Sequence, residues 1–201
     1  YMTKEEAEKV VAEDLQPGTS DSTSIFYNYH YEIRHFEEFE HFVNVTSIRN
    51  YVFQSCTKLT SINIPESVTS IGSNAFDGCS SLTSINIPES VTSIGIDAFD
   101  GCSSLTSINI PSGVTDIGSG AFSSCVALES IVVAEGNGKY DSRNGCNAII
   151  ETSTNNLISG CKNTVIPESV TSIGSNAFSG CRSLTSINIP SGVTRIGNYV
   201  F

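Results

Sequence analysis

The residues of this 201-residue chain that could carry chemistry are its seven cysteines, its three histidines, its Asp-Gly steps and an asparagine that keeps returning. Thiolates and imidazoles serve as metal ligands or nucleophiles when they converge. Their spacing here argues for something else. Cys56, Cys79, Cys102 and Cys125 stand 23 residues apart, and Cys181 falls in the same frame. One cysteine per repeat at a single phase reads as a buried column of small hydrophobes. Rungs ~5 Å apart leave a rung-to-rung disulfide open by distance, although pairing an odd column would break its regularity. His30, His35 and His41 are separated by five and six residues, which matches no common ligand pattern, so they read as structural. Asp77-Gly78 and Asp100-Gly101 lack the alternating acids of a calcium loop and read as turns. There is no nucleophile motif, phosphate-cradling glycine loop, HExxH or CxxC pair. The sequence therefore predicts no enzyme, no metal and no cofactor.

Charge narrows the partners. The formal net charge is −11, and residues 1–50 hold ten acids against four bases. A nucleic-acid binder needs the opposite sign on one face. No run of ~18 apolar residues is present to span a membrane.

What must position these residues is a repeat. Leu-Thr-Ser-Ile-Asn-Ile-Pro occurs without change at 59–65, 82–88, 105–111 and 184–190. It is followed by Val-Thr-x-Ile-Gly, as at 91–95, and by Ala-Phe-x-x-Cys, as at 98–102. Full coils run over 48–70, 71–93, 94–116 and 173–195, with one begun at Ile117 and interrupted, and a last one that stops at Phe201. In each coil the alternation turns leucine and isoleucine inward and Ser84, Asn86 and their equivalents outward. Pro88, lacking an N–H, ends the strand. Val91 and Ile94 form a second buried edge, Gly95 permits a tight corner, and Ala98 and Phe99 fill it. A lone coil cannot offset the entropy of ordering its residues, so stability must come from stacking. Leu59, Leu82, Leu105 and Leu184 should then line up in one column. The asparagines Asn63, Asn86, Asn109 and Asn188 form either a self-satisfied ladder or a surface for sugars or peptides.

The motif L-T-S-I-N-I-P-x-x-V-T-x-I-G-x-x-A-F-x-x-C over about 45–201 closely resembles the BspA-like, or Treponema pallidum type, leucine-rich repeats. The resemblance implies an α/β leucine-rich-repeat solenoid, β-dominated: a right-handed superhelix of 23-residue coils with parallel strands on a concave face. It also implies a bacterial surface or secreted protein that binds host-matrix or bacterial surface proteins, with no catalytic motif to carry over. Insertions similar to Cys-Asn-Ala-Ile-Ile-Glu-Thr occur in the family, which implies an expanded coil at 134–164 and not a foreign domain.

Two stretches break the pattern. Residues 1–47 read as an N-terminal cap: Thr3 and Glu6 form a capping box, Thr3–Leu15 a short amphipathic helix, Ser24–Ile33 a strand. Counting back one repeat puts Phe36 and Phe39 on the Leu59 and Ile62 phases, His41 in place of the second isoleucine, and Val45–Ile48 on the Val68–Ile71 phase. Residues 48–201 form the solenoid, interrupted at about 134–164, where Asn147–Glu151 and Leu157–Cys161 predict a hairpin. A turn symmetric about Ser153-Thr154 would set Cys146 opposite Cys161, leaving a cross-strand disulfide or two buried thiols. The loop 137–145, with Lys139, Tyr140 and Arg143, is either a recognition loop or a plain connection.

The expectation is a binding module at the cell surface. Its candidate partner-binding residues are Ser61, Asn63, Ser84, Asn86, Ser107, Asn109, Ser186 and Asn188, with Lys139, Tyr140 and Arg143 beside them. The alternative is a spacer without a ligand of its own. The uncapped last coil further predicts end-to-end association or a longer array.

Overall fold

The computed structural model describes residues 33–201. The expected helix over Thr3–Leu15, and all but the last residue of the expected strand at Ser24–Ile33, lie outside the described residues. Within them the chain is a β-solenoid whose helical segments are two 3-10 turns, Glu37–His41 and Arg143–Gly145.

In chain order the strands are β1 (His35–Phe36), β2 (Ser47–Ile48), β3 (Ser61–Ile62), β4 (Ser70–Ile71), β5 (Ser93–Ile94), β6 (Ser107–Ile110) and β7 (Asp116–Ile117). There follow β8 (Ser130–Val133), β9 (Tyr140–Asp141), β10 (Ala148–Glu151), β11 (Asn156–Gly160), β12 (Ser172–Ile173) and β13 (Arg195–Ile196). They build two walls. A serine–isoleucine wall runs β2-β4-β5-β7, every pair parallel and in the repeat phase, Ile48 against Ile71, then Ile94, then Ile117. An asparagine wall faces the other way, with β1 on β3, an Asn63–Asn86 bridge and β6 on β8.

Each coil is closed by short-range hydrogen bonds that the repeat dictates. The Val68 N–H donates to the Pro65 carbonyl at 3.0 Å, and Val91 does the same to Pro88 at 3.0 Å, so the proline ends one strand and begins the turn to the next. At the corner, Cys79 N–H donates to Phe76 and Leu82 N–H to Cys79, at 3.1 and 3.0 Å. A period of three therefore puts Phe, Cys and Leu on the same inner side. Gly78 and Gly101 hold φ of +72° and +69°, as the Asp-Gly turns require. Gly95 has a different reason from the one its corner suggested: a Cβ there would lie 2.4 Å from the Ser73 nitrogen of the coil below. The demand is for close approach of backbones.

The stack is held by columns. Phe53, Phe76, Phe99 and Phe122 lie ring on ring, with centroids 5.1, 5.2 and 5.5 Å apart. The abundant hydroxyls bond down the stack: Thr69, Thr92 and Thr115 each donate to the threonine carbonyl one coil earlier at 3.1 to 3.3 Å. Ser67 and Ser90 reach Val45 and Val68 carbonyls in the same way.

Three expectations are corrected. Phe36 pairs with Ile62 and not at the Leu59 phase, because the 3-10 turn after it takes up three residues before Val45–Ile48 regains the frame. His41 accordingly sits in that turn and not in a strand position. Leu59, Leu82, Leu105 and Leu128 are buried in one core, whereas Leu184 is half-buried against a second core made by residues on the far side of the insertion.

The insertion explains that division. Asn137 and Tyr140 still hold the repeat phases of Val114 and Ile117, the Asn137 amide donating to the Pro111 and Val114 carbonyls at 2.9 Å. The frame is left only after β9. The hairpin β10–β11 then adds two antiparallel strands, and the next coil's β12 lies on β11 instead of on β7. At the corner the coils still touch directly, with Ser124 N–H donating to the Ser179 carbonyl at 2.9 Å. Gly160 lies against the Phe178 ring, where a Cβ would come 2.3 Å from Cε1.

Candidate functional site

The repeat brings the asparagine-wall candidates together on one surface. Asn63, Ser84, Asn86, Ser107 and Asn109 are exposed and Ser61 is half-buried, while the isoleucines between them point into the core. Ser61, Ser107 and Asn109 lie in strands and Asn63 and Asn86 in a bridge, beside isoleucines packed in the core, so the polar groups stand in rows. Ser186 and Asn188 are exposed on the coil beyond the insertion, a segment outside any strand. The self-satisfied asparagine ladder is not what the structure shows. Among the described residues Asn86 and Asn109 make no side-chain hydrogen bond, and Asn63 donates instead to Glu40 Oε2 at 3.1 Å.

The column is not uniform. In the coil after Asn109 the position is Val132, 48% exposed, and Val165 holds the Asn188 phase at 72% exposed. Glu129 and Lys162 join in an ion pair at 2.6 Å. Sequence reasoning missed these; counting the frame through Val133 and Val165 would have found them.

The loop candidates are mostly committed inside the molecule. Tyr140 is buried because it fills an isoleucine position, and burial pushes its hydroxyl pKa up against the opposing pull of Lys139. Arg143 grips Asp141 through Nε and Nη2, at 2.8 and 2.7 Å, and spends Nη1 on Asn155 and Ser169. The bond to Asp141 raises its pKa further, against the effect of burial. Lys139 sits near Glu151 at 3.9 Å and over the Tyr140 ring.

The thiols are free. Cys79, Cys102 and Cys125 donate to the Phe53, Phe76 and Phe99 carbonyls at 3.1 to 3.3 Å. Burial pushes Cys102 well above the usual thiol value and Cys125 up to about 12; in Cys79 the bond with Cys56 leads and burial adds to it. Such thiols are poor nucleophiles. Cys181 is half-buried and raised to about 11 by burial and by Cys161. Cys146 and Cys161 are not opposed. A register shift between Ile149 and Ile150 displaces the pairing, and the two sulfurs pack into different cores. Asp97 and Asp100 have raised pKa values, burial first and neighbouring acids second for Asp97. Among the described residues no three His, Cys, Asp or Glu side chains are grouped to hold a metal, and no helix is long and apolar enough to cross a membrane.

A cleft of about 500 Å³ opens at the first coils of the asparagine wall, between Glu40 and Val43 on one side and Asn63, Pro65, Glu66 and Asn86 on the other.

The profile of the BspA type leucine rich repeat region matches six copies over residues 23–144 and 147–201. The chain belongs to this family. Solved bacterial leucine-rich repeat structures resemble most of it. A leucine rich cell surface protein from Faecalibacterium prausnitzii is 36% identical, with a TM-score of 0.67 over 78% of this chain and 42% of its own. A leucine-rich repeat protein from Eubacterium ventriosum is 25% identical, with a TM-score of 0.68 over 91% of this chain and 55% of its own. One from Bacteroides ovatus is 31% identical, with a TM-score of 0.54 over 79% of this chain and 38% of its own. The chain thus spans about half the length or less of these solved relatives. No curated protein is detectably similar to it.

Proposed function

We propose that this solenoid is a protein-docking module displayed at a bacterial surface, and that its asparagine wall is the docking face. The observation that carries the reading is the row of exposed amides and hydroxyls on a packed, rigid sheet, with Asn86 and Asn109 free of side-chain hydrogen bonds among the described residues. Groups fixed in place lose little entropy when a partner pairs with them. The cell-surface relative from Faecalibacterium prausnitzii supports the location. On this reading the scaffold has no reaction of its own, and its partner is a host-matrix or bacterial surface protein.

The test is a binding screen of the chain against such proteins, repeated with Asn86→Asp and Asn109→Asp together. Partners that bind the parent chain and lose the double variant support the docking face. Partners that bind both equally overturn it.

A spacer is the second reading, favoured by the identity of the four seven-residue segments. It predicts that removing residues 71–93 shortens the molecule and leaves every binding activity unchanged. Loss of binding in that deletion would refute it.

A further inference from the structure

The cleft at the start of the asparagine wall has a composition that the rest of that wall lacks. We propose that it receives a lysine or arginine side chain from a basic segment of the partner protein. This rests on the docking reading above and assigns the chemistry of one end of the surface.

Three observations converge. Two carboxylates, Glu40 and Glu66, line the cleft, and among the described residues no lysine or arginine does. Glu40 is held in place by the Asn63 amide at 3.1 Å, so one acceptor is already oriented. The cleft also carries apolar surface, with Val43 at 55% exposure. An acidic pocket for a small cation needs no such surface. A long cationic side chain does, because its methylenes cover apolar ground while its head stays polar. The exposed Asn86 amide adds an acceptor for a guanidinium or a backbone N–H. The volume of about 500 Å³ admits the side chain with its flanking backbone, not a folded domain. His41, with Nε2 4.0 Å from Glu40 Oε1, is the nearby competitor for that carboxylate. The chain's net charge of −11 draws a basic segment to the site.

The experiment uses the whole chain and measures binding of a dye-labelled Lys-Gly-Lys-Gly-Lys peptide, its arginine counterpart, its glutamate counterpart, and spermine. Binding of the two basic peptides, weakening as salt rises and falling about tenfold or more in Glu40→Gln/Glu66→Gln, is the expected result. Circular dichroism of the double variant establishes that it is folded. Asn109→Ala, outside the cleft, should leave the peptide affinity unchanged. Equal binding of the glutamate peptide, no change in the double variant, or binding of spermine alone would each overturn the proposal. The two readings also fail separately. A surface partner that needs Asn109 but ignores Glu40 and Glu66 removes the cleft assignment only. Peptide binding at the cleft, with no partner sensitive to the wall, removes the docking face only.

Discussion

Replacing Phe99 by alanine strikes the solenoid where its stability is made. Its ring is fully buried and stacked on both sides, 5.2 Å from Phe76 and 5.5 Å from Phe122, with interplanar angles of 2° and 4°. Truncating a buried phenylalanine costs about 3–5 kcal/mol through lost burial and the cavity left behind. Within that, the two stacked contacts account for about 1–3 kcal/mol, each being worth about 0.5–1.5. Phe201 repeats the chemistry at the other extreme: one stacked neighbour, Phe178 at 5.7 Å, and 64% exposure. Phe201→Ala should therefore cost no more than about 1.5 kcal/mol. Urea denaturation followed by far-ultraviolet circular dichroism gives both values. A double-mutant cycle sharpens the test. Phe76→Ala with Phe99→Ala should show a coupling of about 0.5–1.5 kcal/mol, whereas Phe53→Ala with Phe99→Ala, two steps apart in the stack, should be additive within about 0.5. Equal losses for Phe99 and Phe201, or additivity in the adjacent pair, would refute nearest-neighbour stacking as the source of stability.

Gly160→Ala forces a Cβ against the Phe178 ring and should cost about 1–3 kcal/mol, with hydrogen exchange rising in residues 148–200 before it rises in 59–110; uniform acceleration would contradict a divided core. The buried thiols stay neutral in the fold, so their raised pKa contributes stability that is intact below the ordinary value of 9.0 and lost as pH climbs towards about 12 for Cys125. Denaturation midpoints should fall over that alkaline window, and a thiol reagent at pH 8 should find Cys181 before Cys102; prompt labelling of Cys102 in the native protein would be the contrary result. Arg143→Lys should not preserve the hairpin, since an ammonium cannot make the paired bonds to Asp141 while reaching Asn155 and Ser169; a loss of about 1–3 kcal/mol confined to exchange in 140–156 is expected, and full rescue by lysine would refute the role.

The sequence disclosed the architecture wherever one phase governs many bonds. Ser70–Ile71 and Ser93–Ile94 repeat at fixed spacing because strand, turn and corner each occupy the same number of residues in every coil. The hairpin was legible for a similar reason, as two alternating runs flank a polar turn. What escaped was local slippage. The bulge beside Ile149 shifts the cross-strand register, so a symmetric turn mispaired the cysteines. The 3-10 turn at Glu37–His41 absorbs residues that a straight count assigns to a strand. The outward serines and asparagines stand in rows, broken by Val132 and Val165, whereas Tyr140 lies in the core, as its distance of one repeat from Ile117 marks. The repeat frame runs through Asn137 and Tyr140 and is left only after them.

The two walls differ in how evenly the repeat is kept along them, and that bears on where change can be tolerated. On the serine–isoleucine wall the inter-coil bonds Thr92 to Thr69 and Thr115 to Thr92 are 2.8 Å long. The matching bonds on the asparagine wall range from 2.7 Å for Thr60 to Arg34 and 2.9 Å for Glu129 to Thr106 up to 3.4 Å for Thr83 to Thr60 and Thr106 to Thr83. The first wall fixes the rung spacing together with the phenylalanine stack, and it is there that the hairpin enters as two further strands with their backbone groups paired. On the asparagine wall the outward side chains take no part in the backbone pairing, so its outward positions can be exchanged without disturbing the ladder. Its departures from the repeat, Val132 and Val165 among the amides and the Glu129–Lys162 pair, are substitutions of this kind. Identical rungs supply a rigid surface but little distinction between one partner and another. Distinction has to come from the positions where the rungs differ, and on this molecule those lie at the acidic cleft and beside the insertion.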